Sequence, residues 1–433
     1  MTLRESARSI FDAALAAGDV RPLVTRALAG IAKPAHGRVL VVGAGKASGA
    51  MAAAVEEAWG DRITDGVVAV KDGYTVPTRT VRLLEAGHPV PDERGAAAAR
   101  EIRALAESAG AEDLVLVLVS GGGSALTPAP APPITLGDKQ AMTRLLLAAG
   151  ATINQLNAVR KHASLLKGGQ LARAAAPARV EALLLSDVVG DPLDVIASGP
   201  TTPDASTYVE ALDILDSFAL RGRVPRAIVQ RLERGGRGEL PETPKPGDPL
   251  FAHVRNTVIG NNALAVDAAA TRARELGFTP HVLTRALEGE ARKTAERFVE
   301  MARAIQAGRG PVTPPACVIA GGETTVKIRG RGKGGRCQEF ALAAALGMEG
   351  LRDVVILAAG TDGSDGPTDA AGAIVDGESA ARARGHEGLD PVVRLTENDS
   401  NPVLARSGDL LVTGPTNTNL LDLYMVLVGA PSS

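Results

Sequence analysis

The stretch "VVGAGKASGA", residues 41–50, decides how this chain is read, because an apolar run ends in glycines and small residues lead into a helix. That is a strand entering a helix through a tight turn, the local unit of a nucleotide-binding α/β sheet. A dinucleotide fingerprint needs G-x-G-x-x-G and an acid at the end of the next strand for the ribose. Here the next strand, "GVVAV", ends in Lys71. A Walker A loop needs a glycine five residues before Gly45 and a Ser or Thr after the lysine, but Leu40 and Ala47 stand there. What remains is Lys46 at a strand-to-helix turn beside backbone N–H groups, with Gly43 and Gly45 allowing close approach, so its charge can meet a phosphate oxygen. The competing account is a solvated lysine opening a helix.

Working outward, the same ending recurs. "LVSGGGSAL" follows the most apolar strand of the first half, and Ser120, Gly121, Gly122, Gly123 and Ser124 read as a phosphate nest, with a flexible tight turn as the alternative. "LLLSDVVGD" places Asp187 just beyond a strand and Asp191 four residues on. Hard oxygen ligands near phosphate loops suit magnesium, while helix capping competes for Asp191. "VIAGGET" and "LAAGTDGSDGPTDAAG" repeat the pattern in the second half, the latter offering Asp362, Asp365 and Asp369 as a base, a magnesium ligand or a plain acidic turn. Ligands of open α/β sheets gather at the carboxyl ends of strands, so five such loops point to one active region.

Basic residues accompany them. The run 153–175, "INQLNAVRKHASLLKGGQLARAA", predicts a helix on which Arg160, Lys161 and Lys167 form a cationic face, with Arg160 or Lys161 as ligand group. "RGRGKGGRCQEF" sets Arg331, Lys333 and Arg336 before a helix. A cation there opposes the helix dipole, and an anionic ligand would offset the conflict; Arg336 is the preferred group. His88 in "AGHPVPDERG" reads chiefly as a loop-ordering residue, and Asp92 as the cap of the helix that follows.

The short apolar runs "RVLVV", "GVVAV", "VRLLEAG", "LVLVLVS" and "VEALLLS" alternate with Ala/Leu-rich helices, which predicts a parallel sheet covered on both faces. The Arg/Gly/Pro-rich stretch 221–252 is taken as the boundary between a Rossmann-like domain over 1–235 and a second α/β domain over 250–433, with the active site in the cleft between them. With 433 residues, a net charge of −2, 45% hydrophobic and 22% charged residues, the chain has a globular composition. It has no stretch of about 18 apolar residues, so no membrane partner is expected. A neutral balance and 2% aromatics argue against nucleic acid. Cys317 and Cys337 are too few for a metal knuckle, and the amphipathic, partly acidic N-terminus reads as a cytoplasmic protein's first helix.

Taken in order, "VVGAGKAS", "GHPVPDE", "SGGGSAL", "INQLNAVRKHASLLKGGQLA", "SDVVGDPLDVIASGPT", "GGETTVKIRGRGKGGRCQEFALA", "GTDGSDGPTDAAGA" and "TGPTNTNLLDL" resemble the glycerate 2-kinase family with its C-terminal MOFRL domain, here about 315–425. The resemblance implies ATP-dependent phosphorylation of D-glycerate to 2-phosphoglycerate with Mg2+; a monomer and a homodimer both stay open. It further implies that Lys46 and Arg336 form the catalytic pair. Bottom-up, Asp362 or Asp365 supplies a base, Asp187 and Asp191 hold the metal, and Arg160 or Lys161 binds the glycerate carboxylate. Cys337 and Asn417 depart from the family's usual Asn and Gly. Because some members are named hydroxypyruvate reductase, NAD(P)H-dependent reduction is the alternative, disfavoured by the missing ribose acid.

Overall fold

The computed structural model describes residues 1–386 and 388–430, which divide into two compact units: residues 20–259, and residues 1–19 with 260–433. In the first, strands β1 (Val39–Ala44), β2 (Asp65–Lys71), β3 (Val81–Ala86), β4 (Leu114–Val119), β5 (Arg179–Leu185) and β6 (Val254–Gly260) form a sheet of order β3-β2-β1-β4-β5-β6. The pairs from β3 through β5 are parallel. Every residue of β1 and of β4 is buried, so both faces are covered, as their unalternating apolar runs require. Helix Glu93–Glu107 lays Ala98, Ala99 and Ile102 against Leu40, Val42 and Val117. It starts at Asp92, whose carboxylate accepts from the Gly95 N–H at 2.9 Å, the expected cap.

The second sheet is mixed. It contains β7 (Thr279–Leu287), β8 (Ala316–Gly322), β9 (Val354–Gly360), β10 (Gly372–Asp376), β11 (Leu410–Leu411) and β12 (Asp422–Val428), in the order β11-β10-β9-β12-β8-β7. Only β7 and β8 pair in parallel; β12 lies antiparallel between β8 and β9. Its core packs Phe298 edge to face on Phe340 and Tyr424, which are tilted against each other, with ring centroids 4.8–6.4 Å apart.

Three features differ from the sequence expectations. Helix Leu3–Ala17 belongs with the second unit, where Arg4 pairs with Asp376 at 2.7 Å and Asp409 at 2.9 Å, so an amphipathic helix found its apolar partner far along the chain. Stretch 221–252 is interior to the first unit: Val224, Ile228 and Leu232 share a core with Tyr208, and β6 beyond it is the last strand of the first sheet. The division falls at 259/260. Finally, the helix expected over 153–175 is two helices, Ile153–His162 and Gln170–Ala175. The chain turns between them through Gly168 (φ +59°) and Gly169 (φ +77°), conformations that suit glycine. The Pro-rich run runs alongside this break, with Ala131 N–H donating to Ala163 and Leu165 N–H to Ala129.

Candidate functional site

In the first sheet the chain leaves β1 toward β2 and returns at β4, so the carboxyl ends of β1 and β4 flank a topological switch point, where open α/β sheets bind ligands. Both glycine loops lie there. The Lys46 N–H donates to Gly121 O at 2.9 Å, tying the loops together. The Ser120 hydroxyl accepts from the Ala47 N–H at 3.0 Å and lies 3.0 Å from Ser48 Oγ, which commits it to the start of helix Ser48–Trp59 rather than to a phosphate. Gly45 packs against Ser120, and Gly43 against the backbone of Leu118, so these glycines let the two strand ends approach.

Gly122 has φ +86°. A Cβ there would stand 3.0 Å from His88 Cδ2, 3.1 Å from His88 Nε2 and 3.7 Å from Lys46 Cγ. The left-handed turn and the absent side chain thus bring Lys46, His88 and the second glycine loop to one place. His88 was read from sequence chiefly as a loop residue; only the return of β3 beside β2 carries it to the lysine.

Helix Ile153–His162 separates the two substrate-binding candidates. Arg160 NH2 donates to Ser124 Oγ at 2.6 Å. Lys161 points elsewhere, pairing with the buried Asp204 at 3.3 Å and with Asp194 at 3.6 Å. Consecutive residues lie about 100° apart around a helix, so the expected cationic face does not form, and Lys161 is a structural ion-pair partner. Lys167 lies in the break after this helix and donates to Ser124 O at 2.7 Å.

Asp187 and Asp191 follow β5 and are each partly exposed. Among the described residues no group of three or more His, Cys, Asp or Glu side chains is arranged to hold a metal ion. Two carboxylates are the donor type and number that magnesium takes, the rest of its shell being water and phosphate oxygens. Asp191 does not cap a helix: it adopts φ +55° and donates its N–H to Val188 O.

In the second unit Arg336 is the first residue of helix Arg336–Gly347. The counter-anion its position calls for is supplied by the protein: Asp422 accepts from Nε at 2.5 Å and NH2 at 2.8 Å, and Glu323 sits 2.6 Å from NH1. Burial opposes the guanidinium charge, but Asp422 outweighs it and holds Arg336 firmly protonated. Asp365 accepts from the Cys337 N–H at 3.1 Å and the Gln338 N–H at 2.9 Å, capping this helix from a distant loop. Burial, with Asp422 nearby and against those N–H bonds, pushes its carboxyl up to about 6. Asp362 Oδ1 accepts from the Ser364 N–H at 3.0 Å. Cys337 is fully buried, and burial next to these carboxylates raises its thiol well above the usual range, so it is unreactive packing beside Arg336. Asn417 has φ +58°, a conformation asparagine tolerates where glycine is the default.

Asp422 and Asp204 had no place in the sequence reading. Each is an acid inside an otherwise apolar or Thr-rich run, and that anomaly was the available signal.

The family described as "Domain of unknown function (DUF4147)" matches residues 6–233, and the MOFRL family matches residues 316–422. D-glycerate 2-kinase of Thermotoga maritima is 43% identical over 90% of this chain and 91% of its own length. Human glycerate kinase is 38% identical over 99% of this chain and 94% of its own. A crystal structure of the Thermotoga maritima glycerate kinase superposes with a TM-score of 0.87 at 40% identity, covering 98% of this chain and 99% of that one. An Agrobacterium vitis relative provisionally named hydroxypyruvate reductase is 42% identical over 99% of this chain and 95% of its own. With identity of this order running the length of the chain and a close structural match over nearly all of it, the protein, which carries both a DUF4147 and a MOFRL match, belongs to the glycerate kinase family.

Proposed function

We propose that the protein transfers the γ-phosphoryl group of ATP to the 2-hydroxyl of D-glycerate, giving 2-phosphoglycerate and ADP. The observation that carries this reading is Lys46 beside the left-handed Gly122 turn at the sheet's switch point, in a fold shared with glycerate kinases. The reductase alternative is disfavoured by the site: β2 ends in Lys71, and both oxygens of the adjacent Asp72 are bound by Arg94 at 2.7 and 2.8 Å.

Phosphoryl transfer asks the protein for positioning and charge neutralisation. In the proposed step the 2-oxygen attacks the γ-phosphorus, the bond to the β,γ-bridging oxygen breaks, and the hydroxyl proton passes to a carboxylate. Asp362 is assigned that role, because both oxygens of Asp365 are occupied by helix N–H groups. Lys46 and Arg336 each offset charge on the migrating group, and the backbone N–H groups of Gly121 and Gly122 are assigned to the nucleotide phosphates, that of Gly123 being donated to Ser120 O. Arg160 takes the glycerate carboxylate. Asp187 and Asp191 would hold magnesium, which when bound neutralises the triphosphate.

The test pairs two assays on one preparation: ADP release dependent on D-glycerate, and NAD(P)H oxidation with hydroxypyruvate. Phosphorus NMR of the product then separates the 2-phosphate from the 3-phosphate. Cofactor oxidation without glycerate-dependent ADP release would replace the kinase reading with the reductase.

A further inference from the structure

One side-chain cluster has a charge that the protein itself does not balance. Lys139, on helix Leu136–Ala148, is 5% exposed and donates to Pro128 O. Lys167 is 2% exposed and donates to Ser124 O at 2.7 Å and Thr127 O at 3.3 Å. Arg160 reaches Ser124 Oγ at 2.6 Å. All three cations therefore converge on the segment 124–128, and among the described residues no carboxylate forms an ion pair with any of them.

Lys161, one residue along from Arg160, shows what this fold does with an ordinary buried cation: it supplies Asp204 and Asp194. Buried charges are normally paired, because desolvation is otherwise uncompensated. Burial, and the mutual repulsion among Arg160, Lys139 and Arg231, disfavour the charged forms of the two lysines. An anion bound beside Arg160 would favour the charged forms of both lysines in the cluster.

Its hydrogen bonds point to the kind of anion. Ser198 Oγ donates its one proton to Asn157 Oδ1 at 3.0 Å, so Ser124 must donate to Ser198 across their 2.9 Å contact and can only accept from Arg160. Ser124 thus orients the guanidinium and has no proton left for a phosphate. This relay rests on a backbone turn through Ala197 (φ +49°) and Ser198 (φ +62°), left-handed non-glycine residues of the sort retained where geometry serves function. Among the described residues only one Arg160 hydrogen, on NH2, goes to a protein acceptor, so one of the guanidinium's two forks, Nε with NH2 or NH1 with NH2, remains for a ligand. Two parallel donors match the two oxygens of a carboxylate.

We propose that Arg160, oriented by the Ser124–Ser198–Asn157 relay and backed by the buried Lys139 and Lys167, is an anchor selective for the carboxylate of a small hydroxy acid. The two lysines are positioning residues that make the site reject neutral polyols. This deepens the glycerate reading and rests on it for the identity of the acid.

The test measures ligand affinity by calorimetry and thermal shift in the presence of magnesium and a non-hydrolysable ATP analogue, with D-glycerate, D-lactate, inorganic phosphate and glycerol as probes. Wild type is expected to bind D-glycerate and D-lactate and not glycerol. Arg160→Met and Lys167→Met are each expected to weaken D-glycerate binding about 10- to 100-fold while affinity for the ATP analogue stays within about twofold. KM for D-glycerate should rise by more than kcat falls. If Arg160→Met does not fold, Arg160→Lys, which keeps the charge and loses the fork, should still weaken D-glycerate binding.

The proposal is overturned if folded variants bind D-glycerate within about twofold of wild type. It is equally overturned if D-glycerate and ATP-analogue affinities fall together, the mark of a purely structural role, or if phosphate competes with D-glycerate and lactate does not. Carboxylate binding that is lost in the variants, in a protein without glycerate-dependent ATP consumption, would support the anchor while sinking the kinase reading.

Discussion

Replacing Asp422 by asparagine should loosen Arg336 and destabilise the second unit. Asp422 is 1% exposed and accepts two bonds from Arg336 and one from the Tyr424 hydroxyl at 2.9 Å. Asparagine keeps one acceptor and sets an NH2 group against a donor. Breaking a buried ion pair by removing one partner typically costs about 3–5 kcal/mol. The Arg336 side chain is one-third exposed, at 34%, and keeps Glu323, so water and the second carboxylate screen part of that loss. A value of about 2–3 kcal/mol follows. Arg336→Met should cost a similar amount by leaving Asp422 unpaired, and the double variant should cost less than the two added together, with a coupling of roughly 2 kcal/mol. Urea unfolding should be followed by far-UV circular dichroism, since the single tryptophan, Trp59, lies in the other unit. Single variants within about 0.5 kcal/mol of wild type, or strictly additive effects, would show that this pair does not hold Arg336.

Further outcomes follow from the same geometry. Gly122→Ala forces a side chain into a φ of +86° and against the His88 ring, so it should cost about 1–2 kcal/mol and weaken ATP binding, read by denaturation and calorimetry. Asp204→Asn should lower stability by about 3 kcal/mol through the buried Lys161, yet leave KM for D-glycerate within about twofold, because Lys161 serves the scaffold. Asp365 ionises harder in the folded protein than in the unfolded chain, its carboxyl standing at about 6. Its contribution therefore opposes folding increasingly as pH rises from about 4 to about 6, by roughly 3 kcal/mol, and is constant above that. Urea midpoints across this range should show that decline in wild type and not in Asp365→Asn. Chelation of magnesium by EDTA should abolish phosphoryl transfer with the circular dichroism spectrum unchanged; full turnover in EDTA would remove Asp187 and Asp191 from the scheme.

Much of this molecule was legible from local pattern, because pattern is where strand and turn physics acts. Unalternating runs such as "LVLVLV" announce a strand buried on both faces, and the residues after them announce the ligand end of the sheet. Strands β10 and β12 escaped notice, although "DLYMVLV" is central to the second sheet, because a run of seven residues after a Gly/Pro/Thr-rich stretch carries no sign of its antiparallel partners. The first helix and β6 were assigned to the wrong sides of the division for a related reason: an apolar stripe shows that a segment must be covered and says nothing about what covers it.

The chain alone therefore determined which residue types stand at strand ends, that Lys71 stands where a ribose-binding acid would, and that cations and carboxylates share the loops. Tertiary structure decided their employment. It turned Arg160 toward Ser124 and Lys161 toward Asp204, spent Ser120 and Asp365 on helix starts, gave Arg336 its carboxylates, and set His88 against the Lys46 loop. The reason is physical: hydrogen-bond and ion-pair energies depend on distances of a few ångströms between residues often separated by scores of positions, and only the packed chain sets those distances.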